Sequence, residues 1–109
     1  MTGSSIIGWS HLPFGKHADQ DIESMMVEAG AAALKHAGVA PADVDAIFVG
    51  HFNAGFSAQD FPSSLSFGID PALRFKPATR VENACATGSA AVHQGITQIA
   101  ARQARIKEK

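Results

Sequence analysis

Asp45-Ala46-Ile47-Phe48-Val49-Gly50 has a continuous apolar centre built from β-branched and aromatic residues, and it limits what this chain can fold into more than any other stretch. A run of this kind reads as a strand covered on both faces, as in a parallel sheet. The segment before it has a different period. Ile22, Met25, Met26, Ala29 and Ala33 recur at the spacing of one helical face, with Ser24, Glu28 and Lys35 on the opposite side. Asp19 and Asp21 supply N-cap side chains and negative charge where that helix starts. Gly38 stands where the glycine just past a helix end belongs, and Pro41 follows shortly after it.

The remaining elements extend the alternation. Residues 5–9, with their Ile-Ile-Gly-Trp content, suit a buried strand closed by the loop-like residues 10–15. Residues 79–83 read as a third strand. From Ala86 the chain turns alanine-rich, and Ala90, Val92, Ile96, Ile99 and Ala100 support a helix to about Arg105. The expected order is therefore β-α-β-α-β-α, an α/β fold with a mainly parallel sheet and right-handed crossovers. Residues 51–77 have no single period: Phe52, Phe56, Phe61, Phe67 and Phe75 interleave with Asn53, Gly55, Pro62, Gly68, Pro71 and Pro77. A short helix over residues 58–67 within long loops is expected there. The closing Arg102, Arg105, Lys107 and Lys109 read as a solvated helix end matched to the helix dipole.

Composition narrows the function. A chain of 109 residues that is 46% hydrophobic fits one soluble globular domain. Nine basic against ten acidic residues, a net charge of -1, provide no field to attract nucleic acid or anionic lipid. One cysteine cannot form an intramolecular disulfide, which suits a reducing compartment. Residues 1–7 lack the basic residues and apolar run of a signal peptide, and no stretch approaches the roughly 18 apolar residues of a membrane span. A cytoplasmic protein with neither nucleic-acid nor membrane partners is expected. Cys-x-x-Cys, Gly-x-Ser-x-Gly, Gly-x-Gly-x-x-Gly, a phosphate-cradling Gly-Lys-Ser/Thr loop and His-Glu-x-x-His are all absent, so no nucleotide or metal signature is present.

Cys85 is the candidate residue for chemistry. It falls between the third strand and the last helix, in Val81-Glu82-Asn83-Ala84-Cys85-Ala86-Thr87-Gly88-Ser89-Ala90-Ala91. At a helix N-terminus, unpaired N–H groups and the positive dipole end favour thiolate over thiol and can hold a developing oxyanion. Small residues on both sides let a substrate, or another helix, approach the backbone. From position alone, a lone cysteine is either a packing residue or a reagent.

This segment resembles the one around the acyl-accepting cysteine of the thiolase superfamily, which includes the acetyl-CoA acetyltransferases. The Cys-Ala-Thr-Gly-Ser form is most similar to the sterol-carrier-protein-type thiolases and their bacterial relatives. Val49-Gly50-His51-Phe52-Asn53-Ala54-Gly55 with Gln59-Asp60 is similar to the family's glycine-rich segment, and residues 30–44 are similar to its first helix and turn. The resemblance covers nearly the whole chain, in the family's order. It implies a thiolase-like layered α/β fold, of which residues 1–109 would form a partial N-terminal domain with no complete second domain.

The resemblance also implies an acyl-CoA C-acyltransferase in which Cys85 forms an acyl-cysteine for Claisen condensation or thiolytic cleavage. Acyl-CoA and CoA would be its small-molecule partners, with no cofactor beyond the CoA of the substrate and no metal. A homo-oligomer, dimer or tetramer, is expected, with Asn53, Gln59 and Asp60 near a partner subunit. A non-catalytic module that binds acyl-CoA or assembles with partner chains is the alternative.

The family's activating histidine in Gly-His-Pro, its further oxyanion-site motif and its second cysteine have no counterpart among these residues. His93 is eight positions past Cys85, roughly 12 Å along a helix, too far for a direct bond to the sulfur. His51, just past a strand end, either faces the same crevice or is a polar loop residue. His11, His17 and His36 read as loop or helix-boundary residues rather than metal ligands. The chain alone is expected to lack turnover and to leave apolar surface exposed around its Phe-rich segment.

Overall fold

The computed structural model describes residues 3–53, 55 and 57–108, with side chains as far as Ala101. The expectations placed on Phe56 and on the side chains of the basic C-terminal end lie outside the described residues.

Helix α1 (Ile22–Ala37) starts at Asp21, whose carboxylate accepts the Ser24 N–H at 2.7 Å while the Ser24 hydroxyl accepts the Asp21 N–H at 3.0 Å. This reciprocal pair satisfies two donors that a bare helix start leaves open. The helix ends at Gly38, in the left-handed region at φ 69°. There the Gly38 N–H reaches Lys35 O and the Val39 N–H reaches Leu34 O, both at 3.1 Å, closing the last carbonyls as a Schellman motif. A single 3-10 turn (Pro41–Asp43) then leads into strand β1 (Ile47–Gly50).

β1 pairs in parallel with strand β2 (Ala78–Val81), in a register that sets Ile47 beside Ala78 and Gly50 beside Val81. Between them run a 3-10 helix (Pro62–Ile69) and a 3-10 turn (Pro71–Leu73) capped by Asp70, whose carboxylate accepts the Ala72 N–H at 2.8 Å. The 3-10 helix lies along α1, with the tip of Ile69 in the space left by the missing Gly30 side chain. After β2, one 3-10 turn (Ala84–Ala86) opens into helix α2 (Thr87–Glu108), which packs on β1. Helices around a small parallel sheet make this an α/β fold. Among the described residues, no helix is long and apolar enough to cross a membrane.

Three elements differ from expectation. Residues 5–9 are not a strand: the described sheet has two strands, and Ile6 and Trp9 are 82% and 66% exposed. The segment is tied instead to α1, through the Trp9 N–H to His36 Nδ1 at 3.1 Å and the Ser10 hydroxyl to Ala29 O. Ile7 and Trp9 line cavities beside β1 residues Phe48 and Val49, but among the described residues the segment makes no ladder pairing with that strand. The helix expected over 58–67 is the 3-10 helix Pro62–Ile69, started by a proline that lacks an N–H to donate. β1 is half-buried rather than covered on both faces. Leu73, at 1% exposure, is the buried hydrophobic centre of the described residues, while Phe52, Phe61 and Phe75 face solvent.

The exposed Asp21 carboxyl is held below its ordinary value of 3.8, chiefly by the Ser24 backbone N–H and then by the Ser24 side chain. Its stabilising contribution is therefore present above that ordinary value and is lost as pH falls through the lower folded-state value. Asp21→Ala should lower the thermal midpoint at neutral pH, and Asp21→Asn, which keeps a capping oxygen, should lower it less. In melts followed by circular dichroism, the gap between wild type and Asp21→Ala should close at acid pH, below 3.8.

Candidate active site

The site is built where the parallel ladder stops. The His51 N–H donates to Val81 O at 3.1 Å, one step beyond β1. The same register would next join His51 O to the Asn83 N–H, and that bond is replaced on both sides. Thr87 Oγ1 accepts the Asn83 N–H at 2.9 Å, and Arg80 Nε donates to His51 O at 3.3 Å. The strands part here, at their carboxyl ends, where open α/β sheets hold their ligands.

Cys85 follows β2 on the 3-10 turn and is exposed. Ala84, just before it, has a left-handed backbone at φ 46°, the one described non-glycine residue with positive φ. Such conformations persist only where their surroundings enforce them. Here the Thr87 hydroxyl donates to Ala84 O at 2.6 Å while accepting from Asn83, and Glu82 Oε2 accepts the Ala84 N–H at 2.5 Å. The Ala86 N–H is bonded to Asn83 O and the Thr87 N–H to Ala84 O, so the turn itself uses two donors expected to be free at the helix start. Thr87 is 7% exposed, pressed against the end of β1. A β-carbon on Gly50 would lie 3.0 Å from Thr87 Cγ2 and 3.1 Å from Thr87 O.

The same geometry places His51. The missing Gly50 side chain points at α2, and successive residues of an extended strand face opposite ways. His51 therefore turns from α2, and its half-buried ring leaves Nδ1 enclosed without a hydrogen-bond partner. His93 is exposed on α2. His17 Nε2–H donates to Pro13 O at 2.7 Å, His36 accepts from Trp9, and His11 packs edge-on against Phe14 at 4.8 Å. No group of three metal-ligating side chains gathers among the described residues.

Asn53, Gln59 and Asp60 are brought together in one loop. Asn53 Nδ2 donates to Ser57 O at 2.8 Å and to Gln59 O at 3.3 Å, and its Oδ1 accepts the Ser57 N–H at 3.0 Å. Gln59 Oε1 accepts the Phe61 N–H at 2.9 Å. Asp60 is tied to β2: Arg80 Nη1 donates to its backbone O at 2.9 Å and forms a 3.8 Å ion pair with its carboxylate. That pair is solvent-screened, so the backbone bond is the firmer link. Sequence reasoning missed Gly50, Arg80, Glu82 and Thr87. For Thr87 there was a signal, a helix-start hydroxyl; for the other three, the role depends on contacts distant in sequence or on the Ala84 backbone.

An α/β chain with an exposed cysteine on a strained strand-to-helix turn defines a class, and comparison with known proteins defines the family. The family model described as "Thiolase, N-terminal domain" matches residues 4–107, and the chain belongs to the thiolase family. It is 41% identical over 104 residues to the acetyl-CoA acetyltransferase of Methanothermobacter thermautotrophicus, an alignment covering 92% of this chain and 26% of that protein. It is 38% identical over 104 residues to the acetyl-CoA acetyltransferase of Methanocaldococcus jannaschii, with the same coverage, 92% and 26%. The chain thus spans about a quarter of the length of these relatives.

Gly50→Ala should destabilise the protein by about 1–3 kcal/mol, because the added methyl meets Thr87 backbone and cannot be relieved by a side-chain rotation. Urea unfolding should show a lower midpoint at unchanged slope, whereas Gly88→Ala, whose added methyl would meet open space, should not show this clash.

Proposed function

We propose that Cys85 is the acyl-accepting nucleophile of a thiolase-type acyl-CoA C-acyltransferase. The observation that carries this reading is the exposed thiol on a hydrogen-bonded turn at the carboxyl ends of the parallel strands, in a chain of the thiolase family. The Cys85 thiolate attacks the thioester carbonyl, a new carbon–sulfur bond forms, and CoA departs with the electron pair of the broken bond. The acyl group then passes to the α-carbon of a second acyl-CoA, or the reverse cleavage runs. CoA arrives with the substrate, and no separate cofactor is needed. The names of the two relatives support acetyl-CoA as the acyl donor.

The loop of Asn53, Gln59 and Asp60 is proposed to approach a partner subunit of a homo-oligomer in the cytoplasm. Its internal bonds keep the loop in shape for that role. The alternative reading is a non-catalytic module that binds acyl-CoA or assembles with partner chains.

Intact-protein mass spectrometry of the complete protein after incubation with acetyl-CoA separates the two. A single acetyl adduct, lost in Cys85→Ala, is expected. No adduct on wild type, with acetyl-CoA binding retained, supports the module, and an adduct that survives in Cys85→Ala assigns the acylated group elsewhere.

A further inference from the structure

We propose that Glu82 is a positioning residue for Cys85, acting through the backbone of Ala84. The inference rests on the reading of Cys85 as the acyl-accepting nucleophile and adds what holds it in place. Ala84 has a left-handed backbone at φ 46°, a region alanine avoids, so the turn needs an external restraint on each side of that residue. On the carbonyl side the restraint is the buried Thr87 hydroxyl. On the amide side it is the Glu82 carboxylate, which accepts the Ala84 N–H. The Asn83 side chain, in the usual capping position, makes no cap hydrogen bond to this turn, so the task falls to the residue before it. Glu82 is exposed, which leaves its charge hydrated and makes a hydrogen-bond acceptor, rather than a negative field, its contribution to the turn.

With that acceptor removed, the Ala84 N–H turns to water and the residue relaxes toward an ordinary φ. The thiol of the next residue is then displaced from the line of attack. A shift of about 1 Å at a reacting group is enough to slow a reaction by roughly 100-fold. Glutamine keeps an acceptor oxygen at the same reach and should restore the turn without the charge.

Glu82→Ala and Glu82→Gln in the complete protein test this in two measurements. In the first, the rate of Cys85 acetylation by acetyl-CoA is followed by quenched-flow mass spectrometry. Glu82→Ala should slow it roughly 10- to 100-fold with half-saturation by acetyl-CoA unchanged, and Glu82→Gln should run near the wild-type rate. Acetylation of Glu82→Ala at the wild-type rate overturns the proposal, as does Glu82→Gln as slow as Glu82→Ala. In the second, crystal structures of both variants should show Ala84 out of the left-handed region in Glu82→Ala and retained there in Glu82→Gln. An unmoved Ala84 in Glu82→Ala overturns the proposal even if wild type takes up no acetyl group, an outcome that would by itself remove only the nucleophile reading.

Discussion

The parallel ladder of β1 and β2 ends because Thr87 takes the N–H of Asn83 and Arg80 takes the carbonyl of His51. What presents the thiol follows from that exchange. Once Asn83 is released from the ladder, the chain can turn out of the sheet, and the turn it makes requires a left-handed Ala84. That conformation costs about 1–2 kcal/mol for an ordinary L-residue. A hydrogen bond contributes about 0.5–1.5 kcal/mol net, so one bond would leave the turn marginal, and the two at Ala84, from Thr87 and to Glu82, offset the strain together. Gly50 enters the same balance, because a β-carbon there would press on Thr87 Cγ2 and O at 3.0 and 3.1 Å.

Helix α1 was legible because its signals are local. Asp21 and Ser24 are three residues apart, and the N–H groups of Gly38 and Val39 close the helix by donating to carbonyls of its own last turn. β1 and β2 were legible to within one or two residues, since each is a compact run with a clear break after it. Residues 5–9 were not. Ile6, Ile7 and Trp9 say that the segment favours burial, yet a strand also needs a neighbouring edge, and apolar content does not name one. The Phe-rich segment leaves apolar surface exposed as expected: Phe52, Phe61 and Phe75 face solvent, while smaller residues, Pro62, Ser66 and Leu73, fill the interior.

Within the site, the place of Cys85 on the strand-to-helix turn was legible in the sequence. Glu82 was not, because its use depends on the φ of a residue two positions on, which an alanine does not advertise. Arg80 and Asp60 are twenty residues apart and meet only when the loop folds back on β2. For His51, chain position left two readings open. Chain position brings it to the strand ends, but the two-residue alternation of β1 turns its ring from α2.

The composition of the turn explains why hydrogen bonds carry its geometry. Ala84, Cys85, Ala86, Gly88 and Ser89 are all exposed, and none has the bulk to wedge the backbone in place. Packing is how most helix starts are oriented, but bulk around Cys85 would close off the thiol that the proposed acylation leaves open to a thioester. A turn left open to a substrate can be held only by groups that do not stand in front of it. Thr87 works from behind, buried against β1, and Glu82 from the side, two residues before the turn. On the proposed reading of Cys85 as the acyl acceptor, the small residues that make the thiol reachable place its aim under the control of two side chains outside the line of attack.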